Sequence, residues 1–240
     1  MTAIFTPKIP PAPGNTPGNS LNNAPETADD SSASDQREGT RRRLLDAAAE
    51  LFATRGYRNV AVRDICEAAV ANVAAVNYHF GGKDKLHLAA IDHARQRALA
   101  EEPTPSGPKP DGPLTPELKL RRHLRAMLGR AFATGPAGWY MQIVLREMVD
   151  PTPALKHALD QHLGPHQRRL EAIVGQILGQ DPDTDRVKDT ASAILATAIY
   201  YHSCRPAVQH LRPDFAFDPA DADRLTDLLM SMVVGGIAVG

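Results

Sequence analysis

Two very short apolar stripes, Val62, Ile65, Cys66 and Ala69 and then Val73 to His79, stand three residues apart between Gly56 and the pair Gly81 and Gly82. Helices that short do not hold themselves in water, because nucleation fixes several residues for one hydrogen bond. They must pack on longer partners, and the flanking sequence supplies two. Leu44, Leu45, Ala48, Leu51 and Phe52 recur at three- and four-residue steps before Gly56. Leu86, Leu88, Ala90 and Ile91 do the same after Lys83. Such spacing marks amphipathic helices. Thr40 is a suitable N-cap for the first helix and Asn72 for the third, while Asp84 suits the positive end of the fourth. With 42% hydrophobic but only 5% aromatic residues, rich in Ala and Leu, the chain is predicted to be all-α.

A short helix, a three-residue turn and a second short helix opening at a polar cap form the layout of a helix-turn-helix. Seven residues make roughly 10 Å of helix, which fits a major groove about 12 Å wide. Charge agrees once the chain is divided. The formal net charge is −1, but Arg37 to Ala100 holds eleven Lys/Arg against seven Asp/Glu, a net +4 that leaves −5 for the remainder. A basic head on an acidic body suits contact with a polyanion through the head alone.

Residues 1–35, rich in Pro, Asn, Ser and Thr, are expected to be a disordered tail, since they bury too little to offset chain entropy. The head is expected over 36–102, a linker over 103–116 where six prolines fall, and a helical body over 117–240. Leu118, Leu120, Leu124, Met127, Leu128 and Phe132 repeat at helical spacing, as do Leu155, Leu159, Leu163, Leu170, Ile173, Val174 and Ile177. Softer breaks are expected at Gly135–Gly138, Asp150–Pro153, Gly164–Pro165, Gly179–Thr184 and Pro206–Pro219. The start lacks the pattern of a secretory signal and no apolar run reaches membrane-spanning length, so a cytoplasmic location is expected. Cys66 and Cys204 make no disulfide framework and read as structural thiols.

Thr40-Arg-Arg-Arg-Leu-Leu-Asp-Ala-Ala-Ala-Glu-Leu-Phe52, Arg55-Gly-Tyr57, Val62-Arg-Asp-Ile65 and Asn77-Tyr-His-Phe-Gly-Gly-Lys83-Asp-Lys-Leu86 closely resemble the DNA-binding domain of TetR-family transcriptional regulators. The resemblance runs in register from about Thr40 to Leu88. It implies that Thr40, Tyr78, His79 and Lys83 grip phosphates, with Arg41 and Arg63 as further DNA contacts. Asn72, Ala74, Ala75 and Asn77 would face bases or their neighbours. Three departures stand out. Val60 and Ala61 occupy the stretch that usually supplies a Ser or Thr cap, worth about 1 kcal/mol. Val70 replaces the usual turn glycine, and Asn77 an aromatic residue.

Leu145-Arg-Glu-Met148, Asp150-Pro-Thr-Pro-Ala-Leu155 and the following helix resemble the C-terminal domain of the CerR-like branch of that family. This implies a ligand cavity among the middle helices and a homodimer built from about Arg186–Cys204 and Asp221–Val234. Ala191, Ile194, Leu195, Ala198, Ile199 and Tyr201 offer a small, apolar face for packing between subunits. Trp139, Tyr140, Gln142, Ile143, Arg146, Glu147 and Tyr200 are candidates to line the cavity. Trp139 reads equally as core, and Arg146 and Glu147 as a pair with each other or a brace for the next turn.

Other chemistry is disfavoured. His157, His162 and His166 invite a metal reading, the last two being four apart, but Pro165 between them is expected to break the helix, so no metal is assigned. Asp181, Asp183 and Asp185 read as turn and cap residues. There is no phosphate loop and no Gly-x-Ser-x-Gly elbow. The reading is a ligand-responsive DNA-binding regulator and not an enzyme, with no cofactor, an operator duplex, a second copy and a small-molecule effector as partners, repressing until the effector releases it. The alternative is a helical sensor or interaction protein whose altered turn no longer binds DNA.

Overall fold

A computed structural model describes residues 27–101 and 112–235, with side-chain surroundings from residue 34 onward. The described residues from Glu38 onward cluster as one compact unit, apart from the preceding stretch. No strand occurs among the described residues. The sequence-predicted tail lies mostly outside them, and so does most of the predicted linker.

The head is built from α1 (Thr27–Arg55), α2 (Val62–Ala69), α3 (Val73–Phe80) and α4 (Lys83–Ala100). α1 starts thirteen residues before the expected cap at Thr40, and so takes in the last nine residues of the predicted tail. After Pro25 no proline interrupts the chain before Arg55, and Gly39 alone costs a helix only about 1 kcal/mol. The later boundaries fall where glycine and Asn72 place them. Gly56 and Gly81 take positive φ at 79° and 74°, conformations open to a residue without Cβ. Leu44, Ala48, Phe52, Ile65, Val76, Leu86 and Ile91 form the centre of the head core, each at most 1% exposed.

The body comprises α5 (Pro116–Phe132), α6 (Trp139–Val149), α7 (Pro153–Ala158), α8 (Gly164–Leu178), α9 (Asp185–Ser203), α10 (Arg205–Leu211) and α11 (Pro219–Gly235). Pro116, expected in the linker, is the first residue of α5, where its missing N–H costs nothing, and Thr115 caps it by accepting from Leu118 N–H. Pro206 likewise sits in the first turn of α10 rather than in a break. The expected break at Gly164–Pro165 does not occur. A π-helical turn over Leu159–Leu163 joins α7 to α8, so the chain stays helical from Pro153 to Leu178. The wider turn absorbs the hydrogen bond and the space that a proline denies an α-helix.

Leu120, Leu124 and Leu128 of α5 pack with Leu170 and Val174 of α8, Val187, Ala191, Ile194 and Ala198 of α9, and Leu225 and Leu229 of α11. At Gly175 an added Cβ would lie 2.8 Å from the Gln180 carbonyl, so the close return after α8 requires glycine. Ala191, Ile194 and Ala198 are therefore interior to the chain's own core, with Leu195 and Tyr201 packed against it. This corrects their assignment to a subunit seam: periodicity identifies an apolar stripe without saying which partner covers it. The outward residues of α9 are instead Ser192, Ala193, Ala196 and Tyr200, and α11 exposes Leu228 and Met232.

Candidate nucleic-acid interface

The turn between α2 and α3 is made by Val70, Ala71 and Asn72. Val70 adopts φ 50° and ψ 54°, the left-handed region, with its side chain 85% exposed. A β-branched residue there costs roughly 1–2 kcal/mol, so the surrounding contacts impose the turn. Two contacts compensate for the departures, one at each end of α2. Asp64 accepts from the Ala61 N–H at 2.8 Å, supplying the reciprocal arm of a capping box that the Ala61 side chain lacks. Arg43 donates from Nε to the Ala69 carbonyl at 3.2 Å, tying α1 to the end of α2.

Asn72 Oδ1 accepts from Ala74 N–H at 2.9 Å and caps α3 as its sequence position predicts. Asn72, Ala74, Asn77 and Tyr78 are all exposed, Tyr78 at 72%, with the His79 ring edge-on to Tyr78 at 5.0 Å. Ala75 is half-buried, turned toward the head core. Its place among small residues hid the difference, since only the helical phase separates it from Ala74.

The basic residues divide by role. Thr40 takes a hydrogen bond from Arg43. The Arg41 guanidinium lies over the Phe80 ring at 5.4 Å and 3.9 Å from Glu38, which braces α1 against the far end of α3. Arg63 is exposed but paired with Glu67 at 2.8 Å. Lys83 donates to the Tyr57 carbonyl at 2.7 Å with its ammonium 4.0 Å from the Tyr57 ring centre, and burial lowers its pKa. Tyr57 stacks on His87 at 4.7 Å and donates to Asp84, and burial together with that carboxylate pushes its pKa up to about 12.

The residues nominated for a ligand cavity do other work. Ile143 is 1% exposed and completes the head core, with Trp139 packed beside it and the Arg97 guanidinium 5.8 Å from the Trp139 ring. Arg146 caps α1, donating from Nε to the Ala53 carbonyl at 2.7 Å and from Nη2 to that of Thr54 at 2.6 Å. Glu147 braces the next turn: Oε2 accepts from Thr152 N–H and from its hydroxyl, each at 2.8 Å. Arg58 meets both Asp150 oxygens at 2.9 and 2.8 Å. The end of α6 is thus a joint to the head. Gln142, Arg146 and Glu147 also border a surface groove of about 650 Å³ shared with Gly56 to Asn59 and His202, which Tyr200 does not line.

Tyr140 is the nominated residue with a different setting. Burial pushes its phenol up to about 12, and it senses the charges of Arg95 and Arg130. Arg130 also bears on a histidine pair of which the sequence pattern singled out only His166. His123 of α5 and His166 of α8 face each other at 4.4 Å between ring centres. Burial, together with Arg130 and Arg169, holds them at about 3 and about 4. Both are neutral imidazoles at neutral pH. A second cluster joins Asp92 of α4 to His157 and His162, the π-helical turn pairing His162 with His157 rather than with His166. No spacing rule for regular helices would have found it.

Comparison with known proteins agrees with this anatomy. The family model of the tetR family of bacterial regulatory proteins matches residues 44–90. That of the C-terminal domain of the HTH-type transcriptional dual regulator CecR matches residues 116–237, so the C-terminal branch is the CecR one. The CecR regulator of Shigella flexneri is 27% identical over 160 residues, 62% of this chain and 70% of that one. The transcriptional repressor KstR2 of Rhodococcus jostii is 44% identical over 62 residues, 26% of this chain and 29% of that protein. Among solved structures, the hemolysin II regulator HlyIIR superposes with a TM-score of 0.56 at 18% identity, covering 82% of this chain and 97% of that one. A regulator from Saccharomonospora viridis solved in complex with choline gives 0.54 at 20% identity, covering 80% and 95%. These likenesses extend the fold through both head and body.

Proposed function

Since this chain belongs to the TetR family of bacterial regulatory proteins, with a CecR-type C-terminal domain, and is a DNA-binding transcriptional regulator rather than an enzyme, we propose that it represses as a cytoplasmic homodimer released by a small molecule. One observation carries the DNA contact: the capped N-terminus of α3 stands free with Asn72, Ala74, Asn77 and Tyr78 all exposed on it. Asn77 and Asn72 suit base edges and Tyr78 a phosphate, while Ala74 admits close approach to a thymine methyl. The formed left-handed turn at Val70 favours this over a head that has lost DNA binding.

The joint at α6 supports ligand response. Arg146 and Asp150 tie α6 to the head, so a shift of α6 moves the end of α1 with it. Dimeric readers need their recognition helices about 34–36 Å apart, and an effector preferring another spacing lowers operator affinity by linkage. The pair of His123 and His166, within the field of Arg130 and Arg169, suits an effector bearing an anionic group, and Arg130 also bears on Tyr140. The outward residues of α9 and α11, Ala193, Ala196, Leu228 and Met232, suit the dimer seam.

Titrating the protein against the duplex upstream of its own gene, and against a scrambled duplex of equal length at several salt concentrations, tests the reading. A preference of at least about a thousandfold for one site is expected of a specific regulator. Equal affinity for both duplexes overturns it.

A further inference from the structure

We propose that Asp92, His157 and His162 form a binding site for a divalent transition cation of the zinc class, bridging α4 to the π-helical turn. One ligand atom from each lies within 4.8 Å of the other two. His157 Nε2 is 2.8 Å and His162 Nε2 3.1 Å from the same carboxylate oxygen, Asp92 Oδ1. Two imidazole nitrogens and one carboxylate are the donor set that borderline ions favour, and three protein ligands leave a fourth position open. The two separations to Asp92 Oδ1 are within a few tenths of an ångström of the spacing between neighbouring ligands of a tetrahedral ion whose bonds are about 2.0–2.2 Å.

The backbone is specialised for this meeting. In a regular α-helix, residues five apart point roughly 140° away from each other. Here the Gly164 N–H bonds to the Leu159 carbonyl, an i to i+5 pattern that brings residues five apart onto one face. Such turns recur at functional sites. The side chains grade from buried to open, His162 at 8%, His157 at 27% and Asp92 at 43% exposed, so a cation can reach the site from solvent.

His162 brings the second observation. Its Nδ1 is buried with no hydrogen-bond partner, and its polar contact is with Asp92. An unsatisfied buried nitrogen costs stability that an apolar residue would spare. Burial, and after it Arg95, lowers its pKa. Arg95 and Tyr140 are the neighbouring groups from α4 and α6 that bear on it.

The experiment uses the full, untagged chain, because a polyhistidine tag would mask the result. Zn(II) is titrated in competition with a chromophoric chelator, and Co(II) is titrated with its visible ligand-field bands as the readout. One equivalent per chain is expected, with the intense Co(II) bands of a low-coordinate site. Asp92→Asn and His157→Gln, both at partly exposed positions, are each expected to weaken Zn(II) at least tenfold. Zn(II) should raise the melting temperature of the parent chain and not of either variant, whatever their starting values. Binding unchanged in both variants, or no binding at micromolar Zn(II), overturns the proposal. Operator affinity measured without metal is a separate readout, so failure here and failure of the DNA-binding reading are distinguishable.

Discussion

One carboxylate oxygen of Glu147 accepts both the backbone N–H and the hydroxyl of Thr152, each at 2.8 Å, in a side chain that is 3% exposed. Its other oxygen lies 3.6 Å from His87 Nε2, too far for a hydrogen bond. Burial holds His87 neutral with a pKa of about 4, so at neutral pH this contact is no ion pair. Thr152 is what Glu147 secures, and with it the start of α7.

Replacing Glu147 by Ala leaves the Thr152 N–H without its acceptor and opens space beneath His87. A loss of about 1–3 kcal/mol is expected, read as a lower denaturant midpoint. Glu147→Gln, which keeps one acceptor oxygen, should recover most of it. A midpoint unchanged in the alanine variant would remove Glu147 from the joint.

Val70→Gly should stabilise the head. The left-handed backbone costs valine roughly 1–2 kcal/mol, its exposed side chain loses no packing, and glycine returns part of the gain as chain entropy. A net gain of about 0.5–1 kcal/mol is expected in thermal melts. A lower melting temperature would show that Val70 packs in a way its exposure belies.

Tyr78→Ala and Asn77→Ala should leave the melting temperature within about a degree, because both side chains are exposed. Their effects on DNA should differ. The tyrosine variant weakens all duplexes alike, as a phosphate contact does, whereas the asparagine variant loses about 1–3 kcal/mol of discrimination at one base pair. Binding titrations over a panel of single-base operator variants separate the two.

Stability should fall as pH drops below about 6.5. His87, His123 and His166 are held at about 4, about 3 and about 4, chiefly by burial, against an ordinary value near 6.5. Below pH 6.5 the unfolded chain takes up protons that the folded chain refuses, so their contribution is complete above that pH and is lost toward pH 4. At pH 5 each histidine accounts for about 2 kcal/mol. Denaturation midpoints at pH 7.5 and pH 5 measure the drop, and His123→Phe should flatten it. Equal midpoints at the two pH values would mean that the rings are hydrated.

The head was legible because its signals are local. Asn72 caps the helix it precedes, and Gly56 and Gly81 end the helices they follow. What escaped depends on pairing across the fold. Arg146 looks like a pocket residue until the α1 carbonyls of Ala53 and Thr54 are in place beside it. Ala191, Ile194 and Ala198 are an apolar stripe in any reading, and only the position of α5 and α8 makes them core. Thr40 reads as a cap, yet nothing ahead of it stops the helix before Thr27. Pro165 was the most misleading residue: the rule that proline breaks α-helices holds, and the chain met it with a wider turn.

That wider turn also fixes the phase of everything after it. Leu159–Leu163 carries one residue more than an α-helical path requires, and each helical residue advances the helix by roughly 100°. Inserting one further residue there would exceed what the wide turn absorbs and rotate the rest of the helix by that angle, swinging Leu170 and Val174 away from α5 while leaving composition and hydrophobic pattern almost intact. The body therefore depends on a count rather than on a side chain. Substitutions across this segment should be tolerated far better than an added residue.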